Sequence, residues 1–265
     1  MNLKCAWVTV LILHLSLVLI DVVHGASESE CSLASEHGHM AFPVEKLEAD
    51  SRCLLADVID HPSASGVIGP NQTPIGVELY SYLLDHPAVT AMLMQRLGMG
   101  SFQITAKGSN PNRYWVNDGD GAEGLLSVLF RDAHDRIYYM DGQHRSTLFP
   151  TIRAKTAVFI RITPGPSVQG RTVVQTMLVS YTRFEDGMLS RLMHLFQPLV
   201  TRAVNRTLTK EFSMTHQLGQ LISEQPQRIL QEAAELPDTM YDDRQSLLIL
   251  LRAETASSHP AVAPQ

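Results

Sequence analysis

Clustered positive charge is missing from this sequence. Only 18% of its 265 residues are charged, the 21 Lys and Arg are outnumbered by 27 Asp and Glu, and the formal net charge is −6. No stretch gathers basic side chains. Nucleic-acid binding depends on neutralising phosphates with Lys and Arg, so that class of partner is excluded. The familiar catalytic signatures are absent as well. There is no His-Glu-x-x-His, no Gly-x-Ser-x-Gly elbow and no glycine loop of the kind that cradles phosphate. Eleven histidines make no metal pattern: His37 and His39 are spaced as a pair in a loosely patterned segment, and Asp141-Gly142-Gln143-His144 reads as a strand end. The run Asp118-Gly119-Asp120-Gly121-Ala122-Glu123 lacks the third ligand and the spacing of a calcium loop and reads as a hairpin turn. No metal and no cofactor are expected.

What the sequence does have begins at its N-terminus. Lys4 precedes an apolar run from Ala6 to Ile20, which Asp21 closes, and Val23-His24-Gly25-Ala26-Ser27 follows. A charged start, a short apolar core and a small-residue exit predict a signal peptide over residues 1 to about 25, cut after Gly25 or Ala26. A bilayer core about 30 Å thick needs about 20 apolar residues, so the run is short for an anchor. The expected location is secreted or periplasmic, with no stable membrane anchor after cleavage. Of three cysteines, Cys5 would leave with the signal, and Cys31 and Cys53 would remain as an even pair in an oxidising compartment. A bridge between them would close a loop of about twenty residues and stabilise the N-terminus by about 3 kcal/mol on the chain-entropy model. With 45% hydrophobic residues, the remainder can bury one substantial core.

Residues 26–75 read as an N-terminal extension, with a helical candidate from Val44 to Ile59. The Ser-, Gly- and Pro-rich stretches His61 to Gly66 and Gly69 to Pro74 read as punctuation. From Val77 the apolar spacing becomes helical, Pro87 opens a second helix, and both end by Gly98-Met99-Gly100. The period then changes to two. Six strands are predicted: Phe102–Lys107, Tyr114–Asn117, Gly124–Arg131, Ile137–Gln143, Lys155–Ile162 and Thr172–Phe184, with short turns between them that allow only antiparallel pairing. Alternation places Leu126, Val128 and Phe130 together, and Thr156, Val158, Ile160 and Ile162 together. Met177, Val179 and Tyr181 form a third set. One face is apolar and the other mixed, so the sheet is expected to need cover on one side. A long apolar stripe from Met188 to about Ser223, bent at Pro198, supplies it. Residues 225–265 read as a helical extension, with an apolar run at Ser246 to Leu251, and a disordered tail from Ala256.

Two short helices, an antiparallel meander of about six strands and one long kinked helix resemble the helix-grip fold of the START-like superfamily, which includes the polyketide cyclase/dehydrase and lipid-transport proteins. The resemblance covers about residues 76–224 and includes the texture of Arg113-Tyr114-Trp115-Val116. It departs from the family in one respect, since no strand ahead of the helices can be placed around Val67-Ile68. The resemblance implies an α+β fold with a pocket between sheet and helix, holding a lipid, sterol or aromatic molecule. Its lining is expected to be Val128, Phe130, Tyr139, Val158, Ile160, Met177, Tyr181 and Phe196, with no catalytic residue expected and the protein partner unknown. Two alternatives stand beside a carrier. One is a cyclase-like enzyme in the same pocket, with Asp141, His144 and Tyr181 as acid-base candidates. The other is a filled core whose work is done at the surface through Ser246 to Leu251.

Overall fold

The computed structural model describes residues 31–145, 151–167, 172–185 and 213–258. The predicted signal segment, Phe196 and Pro198 lie outside them. Two-residue strands Glu36–His37 (β1) and Met40–Ala41 (β2) pair antiparallel, and Gly38 and His39 turn the chain between them with φ of 56° and 64°. Such a turn favours glycine, and here the demand is also steric: a Cβ on Gly38 would press into the Val179 side chain. The helical stretch expected from Val44 divides in two. A 3-10 turn spans Val44–Lys46, Leu47 and Glu48 are extended, and the helix proper is Ala49–Ile59 (α1). Cys53 lies in α1, and both it and Cys31 are disulfide-bonded.

A strand then occupies Ala64–Thr73 (β3), where the sequence reads as turns. The reason for the difference is position. In the sheet order β3-β9-β8-β7-β6-β5-β4 this strand is at an edge, so only one side of it must pair. Gly69 and Pro70 sit at a register shift between Ile68 and Asn71, a place where an edge strand tolerates both. β3 is the strand ahead of the helices for which the sequence offered no placement. Helices Val77–Asp85 (α2) and Pro87–Arg96 (α3) follow as expected, the second with proline in its first turn. Then come Gln103–Ala106 (β4), Arg113–Asn117 (β5), Ala122–Arg131 (β6), Asp135–His144 (β7), Ile152–Pro164 (β8) and Val174–Phe184 (β9). All neighbours pair antiparallel, giving seven strands rather than six. Of the stretch from Met188 to about Ser223 expected to be one long helix, the described part, residues 213–224, is helical (α4). Pro226–Ala234 (α5) and Tyr241–Ser258 (α6) complete the chain. Strand, two helices, six strands and a C-terminal helix make an α+β helix-grip fold.

Both faces of the sheet are covered, not one. On the first, Leu79, Tyr80, Leu93, Leu218, Ile229 and Leu247 from the helices bury against Val128, Tyr138, Ile160, Ile162, Val174 and Leu178. Gly219 lets α4 approach β3 closely, since a Cβ there would run into the Thr73 methyl. On the second face, Phe42, Val44, Leu47, Leu55 and Val58 bury against Ile137, Tyr139, Ala157, Phe159 and Val179. Residues 42–58 are therefore a structural layer. The mixed character of that face is accommodated by pairing its charges: Arg161 holds Asp135 through two bonds of 2.8 Å, and Lys155 meets Glu185 at 2.7 Å.

The segment Ser246–Leu251 is a core element, not a surface contact, because Leu247, Leu248 and Leu251 turn inward and are buried. Ile249, by contrast, is 63% exposed. The helix also continues to Ser258, through residues expected to begin a tail. Leu247→Ala should cost about 2–5 kcal/mol in urea unfolding, as truncation of a buried leucine does. Ile249→Ala should stay within about 0.5 kcal/mol of wild type. Equal costs would contradict this placement of α6.

Candidate functional site

Strand register divides the helix-facing side of the sheet into rows. Leu126, Met140, Thr156 and Thr182 are successive partners across β6, β7, β8 and β9, and Val128, Tyr138, Val158 and Ser180 form the next row. Beyond them Ile160 pairs with Leu178, and Ile162 with Thr176. Helices α2 to α6 bury the rows of Ile160 and Ile162. Among the described residues coverage thins toward the other end, where Leu126, Met140, Thr156 and Val158 are only half-buried. The row after them is Gly124, Gly142, Ala154 and Phe184, small on β6 to β8 and closed by one half-buried aromatic ring on β9. The strands thus present a half-buried apolar floor bordered on β6 to β8 by small residues. An apolar surface with a few polar groups is the usual form of a small-molecule site.

The polar groups of this face are neutral hydroxyls. Thr156 Oγ1 and Thr182 Oγ1 lie 3.1 Å apart and share a hydrogen bond. Ser180 is 1% exposed and its Oγ has no partner among the described residues. Thr176 Oγ1 makes no hydrogen bond of good geometry, although the Tyr80 hydroxyl lies beside it. Burial pushes Tyr80 up to about 12, a rise that Thr176 partly opposes. Burial raises Tyr138 further, so both phenols stay protonated at neutral pH and neither can act as a base. The buried cation of this face is Arg136, already committed: it donates to Asp85 at 2.7 and 2.9 Å and to the backbone oxygen of Asp135 at 3.1 Å.

The expected pocket residues do not share one cavity. Val128, Val158 and Ile160 lie on the helix-facing side, but Phe130, Tyr139 and Tyr181 pack with the N-terminal layer on the other. Met177 stands two residues from Val179 on β9 and so shares its face with that layer. Phe130 crosses over because register shifts between Val128 and Phe130, which sets Leu129 and Phe130 both against the second core. Tyr139 and Tyr181 occupy odd positions of their strands, opposite in face to Tyr138 and Ser180. Phe196 lies outside the described residues. The acid-base candidates are likewise dispersed: Asp141 and His144 are exposed, and Tyr181 is on the other face. Leu126, Met140, Thr156, Ser180 and Thr182 belong to the helix-facing site that the sequence did not single out. Alternation carries that signal once the register of β6 with β7 is known.

A cavity of about 80 Å³ lies near Met99, Phe102, Asp118, Asp120 and Met214. It has room for water but not for a lipid. Asp118 is occupied in any case, since its Oδ1 accepts from the backbone N–H groups of Asp120 and Ala122. Among the described residues no group of three or more His, Cys, Asp or Glu is placed to hold a metal.

Comparison with known proteins adds little beyond this. No family model and no curated protein matches the chain. Among solved structures it is similar to a conserved protein from Geobacillus kaustophilus, at 11% identity and TM-score 0.42, covering 58% of this chain and 93% of that one. It is also similar to Ara h 8.0201, at 11% identity and TM-score 0.37, covering 59% and 98%. A third is the di-domain ARO/CYC BexL from the BE-7585A biosynthetic pathway, at 11% identity and TM-score 0.33, covering 65% and 57%. Likenesses of this size place no functional residue.

The other face holds a buried titratable group. His37 is 2% exposed, stacks on Phe159 at 4.2 Å and has Nδ1 3.3 Å from the Tyr181 hydroxyl, while its Nε2 has no partner among the described residues. Burial lowers its pKa, opposed in part by a hydrogen bond with the Ala34 backbone. The unfolded chain then binds this proton at a higher pH than the folded one. Stability is therefore fully present above about 6.5, the ordinary histidine value, and is lost as pH falls through that value toward the lower folded one. Urea midpoints should drop between about pH 8 and about pH 5, and His37→Phe, which keeps the stack, should lessen the drop. An identical drop in the variant would show that His37 does not carry it.

Proposed function

We propose that the chain is an exported binding or carrier protein for a hydrophobic molecule, held on the helix-facing side of the sheet. The observation that carries this reading is the half-buried floor of Leu126, Met140 and Val158 beside the small residues Gly124, Gly142 and Ala154, with Phe184 at the end of their row. Sequestering a lipid, sterol or aromatic molecule there removes apolar surface on both partners from water, which is worth about 25 cal/mol per Å² buried. Export is supported by the signal-like N-terminus and by the disulfide-bonded state of Cys31 and Cys53, which suits an oxidising compartment. No helix among the described residues is long and apolar enough to cross a membrane. A cyclase-like reaction in the same place would need an acid or base at the floor. Of the ionisable groups on that side, Tyr80 and Tyr138 are held protonated and Arg136 is paired with Asp85, so such a reaction would fall to His216 on α4, whose Nδ1 is buried without a partner among the described residues.

Native mass spectrometry of the full chain, expressed with its N-terminus and recovered after export, tests this directly. A bound mass of lipid or aromatic size should leave on denaturation. Val158→Trp, which fills the floor, should abolish it, whereas Met177→Trp, on the opposite face, should retain it, with far-UV circular dichroism confirming that both fold. Bare protein that also takes up nothing from a lipid extract, or loss in both variants alike, would contradict the reading.

A further inference from the structure

The hydroxyls on β8 and β9 say what kind of head the bound molecule carries, provided the helix-facing site is the one that binds. Thr176, Ser180 and Thr182 alternate along β9 on that face, each at most 5% exposed, and Thr156 joins them from β8 through its bond to Thr182. A ligand-free reason for a buried serine hydroxyl would be a hydrogen bond within the protein, and Ser180 Oγ has none among the described residues. An unpartnered buried hydroxyl is costly, and a polar atom supplied by a ligand would remove that cost. Ser180 sits directly beside Val158 in register, and Thr182 beside Thr156, so this polar edge borders the apolar floor.

Charge sorts the possible heads. On β6 to β9 the cations Lys155, Arg161 and Arg183 are all on the opposite face, where they pair with Glu185, Asp135 and Asp57. On the helix-facing side Arg136 is taken by Asp85, Arg131 donates to Asn112, and His144 is exposed at a strand end. Among the described residues, a carboxylate or phosphate brought to Ser180 would meet hydroxyls but no free lysine or arginine of the sheet, and an ammonium group would find no free carboxylate there. Buried charge without a partner is far more costly than a buried neutral oxygen. We infer that the site selects a neutral amphiphile whose single hydroxyl, ketone or ester oxygen is hydrogen-bonded by Ser180 and the Thr156–Thr182 pair, and that it rejects the corresponding anion.

Displacement of the neutral dye N-phenyl-1-naphthylamine from the full chain tests this with four probes of equal chain length: dodecanol, methyl dodecanoate, dodecane and dodecanoate, at a pH where the last is ionised. Methyl dodecanoate should displace the dye at least about tenfold more effectively than dodecanoate. Ser180→Ala and the isosteric Thr182→Val should each weaken dodecanol by about five- to tenfold and leave dodecane unchanged. Unchanged dodecane binding also shows that the variants fold. Dodecanoate binding as tightly as its ester would overturn the inference and point to His216, whose Nδ1 is buried without a partner among the described residues. Loss of dodecanol and dodecane in equal measure, or in neither case, would overturn it too. If the dye and all four probes fail to bind, the proposed carrier function itself falls, an outcome distinct from binding without discrimination.

Discussion

Alternation along the strands of a sheet covered on both faces is the constraint on which this molecule depends. Each residue from β6 to β9 commits to one side or the other, and a one-residue slip would exchange the contents of two cores. The side chains differ accordingly. Toward the helices stand Val158, Ile160, Ile162, Leu178 and the hydroxyls of Thr156, Ser180 and Thr182. Toward the N-terminal layer stand Ala157, Phe159, Val179 and the paired ions of Lys155, Arg161 and Arg183. The two populations are not interchangeable, so the register is strongly specified.

The same division separates the tightly packed layer from the proposed binding floor. The second core is closed by aromatic contacts: Phe42 and His37 pack on Phe159 at 5.2 and 4.2 Å, and Arg161 lies over the Phe42 ring at 4.8 Å. That face is a sealed layer with its charges used up. On the helix-facing side, among the described residues, α2 to α6 bury the rows of Ile160 and Ile162, and beyond Val128 and Tyr138 the side chains are only half-buried. Tight packing on one face lets a domain keep its core whatever the other face holds.

Much of this was legible in the sequence, and what was not has identifiable causes. The six strands from 103 to 184 and helices α2 and α3 followed from hydrophobic period and turn chemistry, because each has several periods and clear stops. β3 was hidden because an edge strand need not look like one: it carries Ser65, Gly66, Gly69 and Pro70, which an interior strand would not accept. Residues 42–58 were undervalued because their apolar side chains, Phe42, Val44, Leu47, Leu55 and Val58, come from a 3-10 turn, an extended link and a helix with no common period. The expected lining residues divide between the two faces for a similar reason. Val128, Val158 and Ile160 share the helix-facing side, but the shift before Phe130 and the choice between Tyr138 and Tyr139 depend on pairing across strands, which no single strand reveals.

The most direct test of the account uses two methionines as reporters, Met140 on the open floor and Met177 on the opposite face of the same sheet. With their methyl groups labelled for NMR, titration with dodecanol should shift Met140 strongly and leave Met177 at its starting position. A dominant shift at Met177, or none at Met140 with the fold intact, would contradict the claim that the helix-facing floor is where the hydrophobic molecule binds.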